Sequence, residues 1–210
     1  MSNDVTIFIV DDDEQARQSV AALVRSMGFV SQSFSSAEEF LARYIEGTRG
    51  CLITDVRMVG MSGIDLLEEL NTRNIFLPVV VLTAYAETPL TVRAIKAGAV
   101  TLLEKPYADD ALWDAIRKGL AMDAAERGKH EYQKELRRRM ERLTDTQRTV
   151  MDMVVQGLPN KVIAKRLDVS VRTIENRRHE IFSIMHADSV AELVRMVIEA
   201  EAESEDGANE

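Results

Sequence analysis

Residues 5–15, VTIFIVDDDEQ, decide the fold of this chain because they join an apolar run to three adjacent carboxylates. A strand that is covered on both faces is apolar at almost every position, so residues 5–10 predict a buried strand of a parallel sheet. Asp11, Asp12 and Asp13 repel one another and are costly to desolvate, so a positive group has to balance them. A metal ion is the usual candidate for this positive group. The question is then which aspartate of the chain carries out chemistry beside the metal.

The first 118 residues alternate between short apolar runs and amphipathic stretches. Five such units predict an α/β fold, a doubly wound sheet of five parallel strands with right-handed crossovers and the strand order 2-1-3-4-5. The predicted strands cover residues 5–10, 29–34, 50–55, 78–83 and 100–103. The predicted helices cover residues 14–27, 36–46, 63–73 and 87–97.

Charge divides the chain of 210 residues into segments of different balance, although the net charge is −9. The first 120 residues carry 17 acidic and 11 basic side chains, whereas residues 140–199 carry nine of each. Two modules with different partners fit this pattern, so the acidity of the whole chain does not exclude nucleic-acid binding. No apolar run is long enough to span a bilayer, no leader is recognisable, and the single cysteine Cys51 allows no internal disulfide, so we expect a cytoplasmic protein.

The second half of the chain is predicted to be helical throughout. A linker helix carries a narrow apolar stripe, which fits either a solvated helix or a short dimerising coiled coil. The members of this stripe are Tyr132, Leu136, Met140 and Leu143. An all-α four-helix domain with a helix-turn-helix follows, and its first helix begins with the capping box Thr144 to Gln147. The predicted boundaries are residues 1–122 for the α/β domain, 123–141 for the linker helix, 142–200 for the helical domain and 201–210 for a disordered acidic tail.

Ligands of such a sheet bind at the carboxyl ends of the strands, where the strand order reverses. The predicted order places Asp11 and Asp12, which follow the first strand, beside Asp55, which ends the third. Thr83 ends the fourth strand and Lys105 follows the fifth, so a hydroxyl and an ammonium join the same rim. Carboxylate oxygens suit Mg²⁺, and the lysine and threonine can hold the oxygens of a phosphoryl group.

Two chemistries fit these residues. In the first, Asp11 is a nucleophile with Asp13 as its acid/base partner, the D-x-D pattern of phosphatases of the haloacid dehalogenase type. In the second, Asp55 accepts the phosphoryl group, Asp11 and Asp12 hold the metal, and Asp13 serves only the start of the next helix. Residues 56–77 leave no space for a cap domain over a substrate, which favours the second chemistry.

Three segments resemble the receiver domain of two-component response regulators of the FixJ type. They are IVDDDE at 9–14, DVRMVGMSGIDLL at 55–67 and PVVVLTAYAETPLTVRAIKAGAVTLLEKP at 78–106. The resemblance covers essentially all of the first 120 residues. It implies that Asp55 accepts a phosphoryl group from a sensor histidine kinase, and that Asp11, Asp12 and Asp55 surround Mg²⁺.

The resemblance further implies that Thr83 and Lys105 contact the phosphoryl group and that the bond between Lys105 and Pro106 is cis. Two positions depart from the family pattern. Val59 stands where the family usually has proline, so we expect a looser loop there. Leu102 stands where the family usually has Phe or Tyr, which argues against an aromatic switch at this position.

Residues 143–199 resemble the four-helix DNA-binding domain of the LuxR type, most clearly in GLPNKVIAKRLDVS and SVAELVRMV. In the proposed recognition helix, Ile174, Ile181 and Met185 would pack inward. The opposite face would enter the major groove, where Asn reads adenine and Glu accepts from cytosine, while nearby polar side chains contact phosphates. The base-reading candidates are Glu175, Asn176 and His179, and the phosphate-contacting candidates are Lys161, Arg172, Thr173 and Arg178.

The sequence therefore predicts a phosphorylation-controlled transcription regulator rather than a turnover enzyme. Phosphorylation of Asp55 is expected to favour a homodimer that binds paired half-sites on double-stranded DNA, with a histidine kinase as the other partner and no membrane contact. An adaptor whose helical module binds proteins instead of DNA is the alternative from another class. A phosphatase that uses Asp11 is a more remote one.

Overall fold

The computed structural model describes residues 5–201 of the chain. These residues fall into two compact units that divide between Glu126 and Arg127. The disorder expected for the acidic tail concerns residues 202–210, which lie outside the described part, and Glu201, which is described, ends a helix. No helix within residues 5–201 is long and apolar enough to cross a membrane.

The first unit is built on a parallel sheet of five strands in the order β2-β1-β3-β4-β5, which confirms the predicted order. The strands are β1 Thr6–Val10, β2 Val30–Phe34, β3 Gly50–Asp55, β4 Val79–Thr83 and β5 Thr101–Glu104. β1 pairs with both β2 and β3, and Val10 lies opposite Thr54. The residue that follows β1 is therefore the neighbour of the residue that ends β3.

Four helices connect these strands: α1 Glu14–Ser26, α2 Ala37–Arg43, α3 Gly63–Thr72 and α4 Thr88–Lys96. Local chemistry sets their ends. Ser62 and Asp65 form a reciprocal capping box at the start of α3. Gly28 and Gly98 follow α1 and α4 with φ of +82° and +91°, the left-handed conformation that commonly ends a helix.

Helix α2 ends three residues earlier than predicted, because Tyr44 takes an extended conformation with ψ of 129°. Its ring packs against the rings of Phe8 and Phe40, with centroids 5.4 and 5.2 Å away. The helix therefore ends at a residue whose ring packs against the core of the first unit.

The sheet separates two apolar layers. Phe8 and Val10 face α2 and α3 on one side, while Ile7 and Ile9 face α1 on the other. Cys51 is fully buried in the second layer. Burial raises the pKa of its thiol to about 12, as expected of an unreactive structural cysteine.

Helix α5, Asp109–Glu141, is a single helix of 33 residues that spans the division between the two units. Leu112 and Ile116 are fully buried in a core layer of the first unit. Leu136 is fully buried in the core of the second unit. The predicted linker segment is thus continuous with the last helix of the α/β domain, and its end contributes to the helical domain.

The second unit contains α6 Asp145–Val155, α7 Asn160–Arg166, α8 Val171–Met185 and α9 Val190–Glu201. The predicted capping box between Thr144 and Gln147 forms in both directions at the start of α6. Of the apolar stripe on α5, Leu136 and the following Leu143 are buried, and Met140 packs against the same core. Most of this stripe is therefore covered within the chain, which matches neither a solvated helix nor a coiled coil.

Two arginines of α5 bind the ends of later helices in this unit. Arg137 Nε donates to the carbonyl of Ala200 at 3.1 Å, near the end of α9. Arg139 Nη1 donates to the carbonyl of Met185 at 3.1 Å, at the end of α8. Positive charge is favourable at helix C-termini, so these bonds strengthen the attachment of α5 to the helical domain.

Candidate functional site

A cluster of charged side chains lies at the carboxyl end of the sheet, where β1 and β3 are neighbours. Asp11 follows β1 and Asp55 ends β3, and both are buried. Lys105 follows β5, and its Nζ donates to Asp11 Oδ2 at 3.0 Å and to Asp55 Oδ1 at 2.5 Å. The fold thus joins three predicted site residues from three separate strands. The Lys105–Pro106 peptide bond is cis, as the resemblance implied.

The electrostatics of this cluster favour a charged lysine. Burial raises the pKa of Asp11, and the hydrogen bond and charge of Lys105 oppose this effect without cancelling it. Burial lowers the pKa of Lys105, but the hydrogen bonds and the negative charges of Asp55 and Asp11 together raise it by more, so the net shift is upward. The ammonium therefore stays protonated at neutral pH and holds two buried carboxylates together.

Both oxygens of Asp55 accept hydrogen bonds. Oδ1 accepts from Lys105, and Oδ2 accepts from the backbone N–H of Arg57 at 2.7 Å. The Arg57 guanidinium lies over the ring of Tyr85 at 5.4 Å and 3.9 Å from a carboxylate oxygen of Glu87. Arg57 thus connects the loop after β3 with the loop after β4.

Thr83 lies at the end of β4, as predicted, and is 1% exposed. Its Oγ1 donates to the carbonyl of Tyr85 at 3.0 Å and accepts from the N–H of the same residue at 3.2 Å. The hydroxyl is therefore engaged by its own loop, whereas the resemblance implied that it contacts a phosphoryl group. The Tyr85 side chain is 62% exposed.

Asp12 is exposed and binds a different partner from its neighbour. Its Oδ2 accepts from the backbone N–H of Val59 at 3.0 Å, in the loop between β3 and α3. Two residues further on, the N–H of Met61 donates to Glu38 Oε1 at 2.9 Å. The loop that was expected to be loose because it lacks proline is thus tied at two points by carboxylates from other elements.

Asp13 has the structural role predicted for it. It is the N-cap of α1, and its Oδ1 accepts from the N–H groups of Gln15 at 2.7 Å and Ala16 at 3.0 Å. These bonds lower the pKa of Asp13. A carboxylate committed to a helix start and held ionised is a poor acid/base partner, which argues against the D-x-D phosphatase chemistry.

The donor set fits Mg²⁺, which usually takes one or two carboxylates and keeps several waters. Asp11, Asp12 and Asp55 supply hard oxygen ligands at the ends of β1 and β3. Within residues 5–201, however, no three His, Cys, Asp or Glu side chains are gathered so that they could hold a metal. Lys105 binds two of these carboxylates, and the N–H of Val59 binds the third.

The second candidate site is the outer face of α8. The inner face packs as predicted, because its three apolar side chains are at most 1% exposed: Ile174, Ile181 and Met185. Three base-reading candidates lie exposed on other faces of the helix: Glu175, Asn176 and His179. Lys161 and Arg172 are also exposed, so their positive charges are accessible to a polyanion.

Arg178 differs from the other phosphate-contacting candidates because it is partly committed within the domain. Its Nη1 donates to Asn160 Oδ1 at 2.9 Å, and its guanidinium lies 5.8 Å from the centre of the Phe182 ring. Asn160 begins α7, so this contact joins the first helix of the helix-turn-helix to the second. Thr173 is likewise engaged, since its Oγ1 lies 2.8 Å from Ser170 Oγ.

Sequence reasoning missed the backbone donors of the acidic site. The N–H groups of Arg57 and Val59 hold Asp55 and Asp12, and every residue except proline carries such a donor. No side-chain pattern could reveal these bonds. Only the identity of Val59 pointed to one of these bonds. Proline, which the family usually has at this position, carries no N–H, whereas valine does.

The fold and the two sites define a class of protein: a parallel α/β module with a charged cluster at the strand ends, followed by a helix-turn-helix module. Residues 7–117 match the response regulator receiver domain, and residues 141–197 match the bacterial regulatory proteins of the luxR family. The chain belongs to the response regulator family and is a transcriptional two-component response regulator.

Relatives and solved structures agree with this assignment over nearly the whole chain. The chain is 39% identical to the transcriptional regulatory protein FixJ of Azorhizobium caulinodans over 94% of both, and 40% identical to FixJ of Rhizobium meliloti over 93% of this chain and 96% of that one. The structure of the response regulator StyR is 40% identical with a TM-score of 0.79, covering 92% of this chain and 98% of StyR. Full-length FixJ from B. japonicum is 34% identical with a TM-score of 0.55, covering 94% and 97%.

Proposed function

We propose that Asp55 is the phosphoacceptor of this regulator and that Asp11, Asp12 and Asp55 hold Mg²⁺, as receiver domains generally do at the phosphorylation site. Lys105 and Thr83 contact the phosphoryl group. The observation that carries the proposal is the ammonium of Lys105, which bonds both Asp11 and Asp55 at the strand ends. A cation already placed on the acceptor carboxylate is positioned to neutralise an incoming phosphoryl oxygen.

In the transfer, a carboxylate oxygen of Asp55 attacks the phosphorus of a phosphohistidine on the sensor kinase. The P–N bond breaks, its electron pair returns to the imidazole, and an acyl phosphate forms on Asp55. Mg²⁺ supplies neutralisation of charge on the phosphoryl oxygens when it is bound. The N–H of Arg57, bonded to Oδ2, orients the carboxylate, and Lys105 moves its hydrogen bond from the carboxylate to the phosphoryl group.

Labelling with radioactive acetyl phosphate or with a phosphorylated kinase tests the acceptor. Wild type and the Asp13→Asn variant are expected to carry label, because Asp13 caps a helix. Asp55→Asn is expected to carry none. Label that persists in Asp55→Asn but disappears in Asp11→Asn, together with turnover of phosphomonoesters, would reverse the assignment.

The outer face of α8 supports sequence-specific binding of double-stranded DNA. Glu175, Asn176 and His179 are exposed together on a helix whose opposite face is anchored in the core. The positive charge around this helix is modest, so one copy is expected to bind weakly and two copies to bind paired half-sites about one helical turn apart. The last helix offers Val190 and Ile198, which are 38% and 60% exposed, as a surface for the second copy.

Phosphorylation is proposed to favour this dimer by shifting the population of receiver conformations. Leu102 packs partly buried against the core layer of α2 and α3, so the switch has no aromatic ring to move at this position. The β4–α4 loop that binds Thr83 is the segment left to respond to the phosphoryl group. Sedimentation velocity with and without acetyl phosphate measures the shift toward dimers.

Selection of bound sequences from a random DNA pool, with and without phosphorylation, tests the output. If the protein is a phosphorylation-controlled regulator, at least one DNA fragment binds more tightly after phosphorylation in salt-dependent gel shifts. Equal binding in both states would indicate a constitutive DNA-binding protein. If no fragment is bound in either state, the result favours an adaptor whose helical module binds proteins instead of DNA.

A further inference from the structure

The loop between β3 and α3 is attached to Asp12 by a backbone hydrogen bond. Val59 N–H donates to Asp12 Oδ2 at 3.0 Å, across 47 positions of sequence. The Val59 side chain is among the most exposed apolar groups of the described residues, with 84% of its surface exposed. Val59 therefore acts on the site through its N–H and not through packing.

This bond gives Asp12 a different partner from the other two carboxylates of the site. Lys105 holds Asp11 and Asp55 together, while Asp12 is directed to the loop. The Val59 N–H competes with a cation for Oδ2 of Asp12.

We propose that the Val59 N–H is a latch that withholds Asp12 from Mg²⁺, so that binding of the metal releases the loop between β3 and α3. This proposal rests on the Mg²⁺ site proposed above. Because the coupling between two events is reciprocal, whatever opens the latch also tightens the binding of Mg²⁺. Val59 is a positioning residue in this scheme, since it acts on the metal only through Asp12.

The chain offers a matched pair of substitutions at this position. Val59→Pro removes the N–H, whereas Val59→Ala keeps it and shortens an exposed side chain. Gly60 has φ of +87°, as the third residue of a type II turn has, and the residue before it in such a turn accepts proline. A proline at position 59 would take the second position of such a turn.

Calorimetric titration of the full, unphosphorylated chain with Mg²⁺ tests the latch without any phosphoryl transfer. Val59→Pro is expected to bind Mg²⁺ roughly 3- to 10-fold more tightly than wild type, the gain from one net hydrogen bond. Val59→Ala is expected to remain within about twofold of wild type. Equal or weaker binding by a folded Val59→Pro would overturn the latch while leaving the metal site intact.

Amide exchange of Val59 in the wild-type protein, followed by ¹⁵N NMR, decides the matter even if Val59→Pro fails to fold. The latch requires this amide to exchange at least about fivefold faster in saturating Mg²⁺ than without it. Unchanged or slower exchange would mean that the N–H supports Asp12 as a ligand, and the proposal would be wrong. Absence of Mg²⁺ binding by wild type would overturn the proposed metal site and the latch with it.

Discussion

At the scale of single residues, Lys105 joins two buried carboxylates that would otherwise repel each other. The position of Lys105, Asp11 and Asp55 could be predicted from the sequence, because the strand order fixes which strand ends are neighbours. The orientation of Asp12 and Thr83 could not be predicted. Both bind backbone groups of nearby loops, and the sequence does not give the geometry of these loops.

Lys105→Met, which keeps most of the unbranched side chain and removes the ammonium, is expected to lower the free energy of unfolding by about 1–3 kcal/mol without Mg²⁺. The loss leaves two buried carboxylates side by side, and the lysine is 27% exposed, so the full cost of a deeply buried pair does not apply. Saturating Mg²⁺ is expected to reduce the difference in free energy of unfolding between the wild type and this variant. Urea denaturation measures both values, with Lys96→Met on the exposed surface of α4 as the control. The same loss with and without Mg²⁺ would contradict the expected compensation.

The capping box of α3 predicts a dependence of stability on pH. The hydrogen bond from Ser62, followed by that from Arg93, lowers the pKa of Asp65 below its ordinary value of 3.8. The ionised carboxylate of Asp65 therefore stabilises the folded protein above pH 3.8, and this stabilisation is lost as the pH falls below that value. Asp65→Asn is expected to cost about 0.5–1 kcal/mol at pH 7, a modest value because the pair is half exposed. Urea denaturation at pH 7 and pH 3 is expected to show a smaller difference at pH 3, and a constant difference would contradict this origin.

At the scale of helices and strands, boundaries were predicted well wherever a local signal marks them. Ser62, Thr144, Gly28 and Gly98 each end or begin a helix by their own chemistry. The partner of the apolar stripe on α5 could not be predicted in this way. Periodicity shows that a helix has an apolar face, but it does not show whether another chain, solvent or the same chain covers it.

Leu136→Ala is expected to destabilise the second unit by about 2–5 kcal/mol, because Leu136 is fully buried and its loss leaves a cavity in the core. Tyr132→Ala, one turn earlier on the same helix and 38% exposed, is expected to cost less than about 1 kcal/mol. Hydrogen exchange of amides in residues 143–200 of the full chain reports on this unit alone. Similar effects of the two substitutions would show that α5 does not belong to this core.

At the scale of the whole molecule, charge and motif order indicated two modules, and both family matches confirm them. The net charge of −9 concealed the DNA-binding half, since the acidic surplus lies mainly in the first 120 residues and the last 11. Only the distribution of charge along the chain separated the two. Contacts within the output module, such as Arg178 with Asn160, were beyond the reach of composition.

Two substitutions in the output module are expected to separate affinity from sequence choice. Asn176→Ala is expected to relax preference at one base position and to cost about 1–3 kcal/mol on the best site, while leaving the salt dependence unchanged. Lys161→Ala is expected to weaken binding to all sequences alike and to reduce the slope of log K against log salt by about one. Fluorescence anisotropy over a range of salt concentrations, on selected and scrambled sites, measures both. A reversed pattern would exchange the assigned roles of the two residues.

The continuous helix α5 also decides where this regulator can be recombined with others. The luxR-family match begins at residue 141, which suggests a convenient splice point for a chimeric regulator. A splice there would replace Leu136, Arg137 and Arg139, the residues that fill the core and bind the helix ends of the output module. A functional chimera therefore has to inherit the last turns of α5 together with the DNA-binding helices. The boundary for such an exchange therefore lies inside α5. The segment that has to be exchanged is longer than the part of the chain that matches the luxR family.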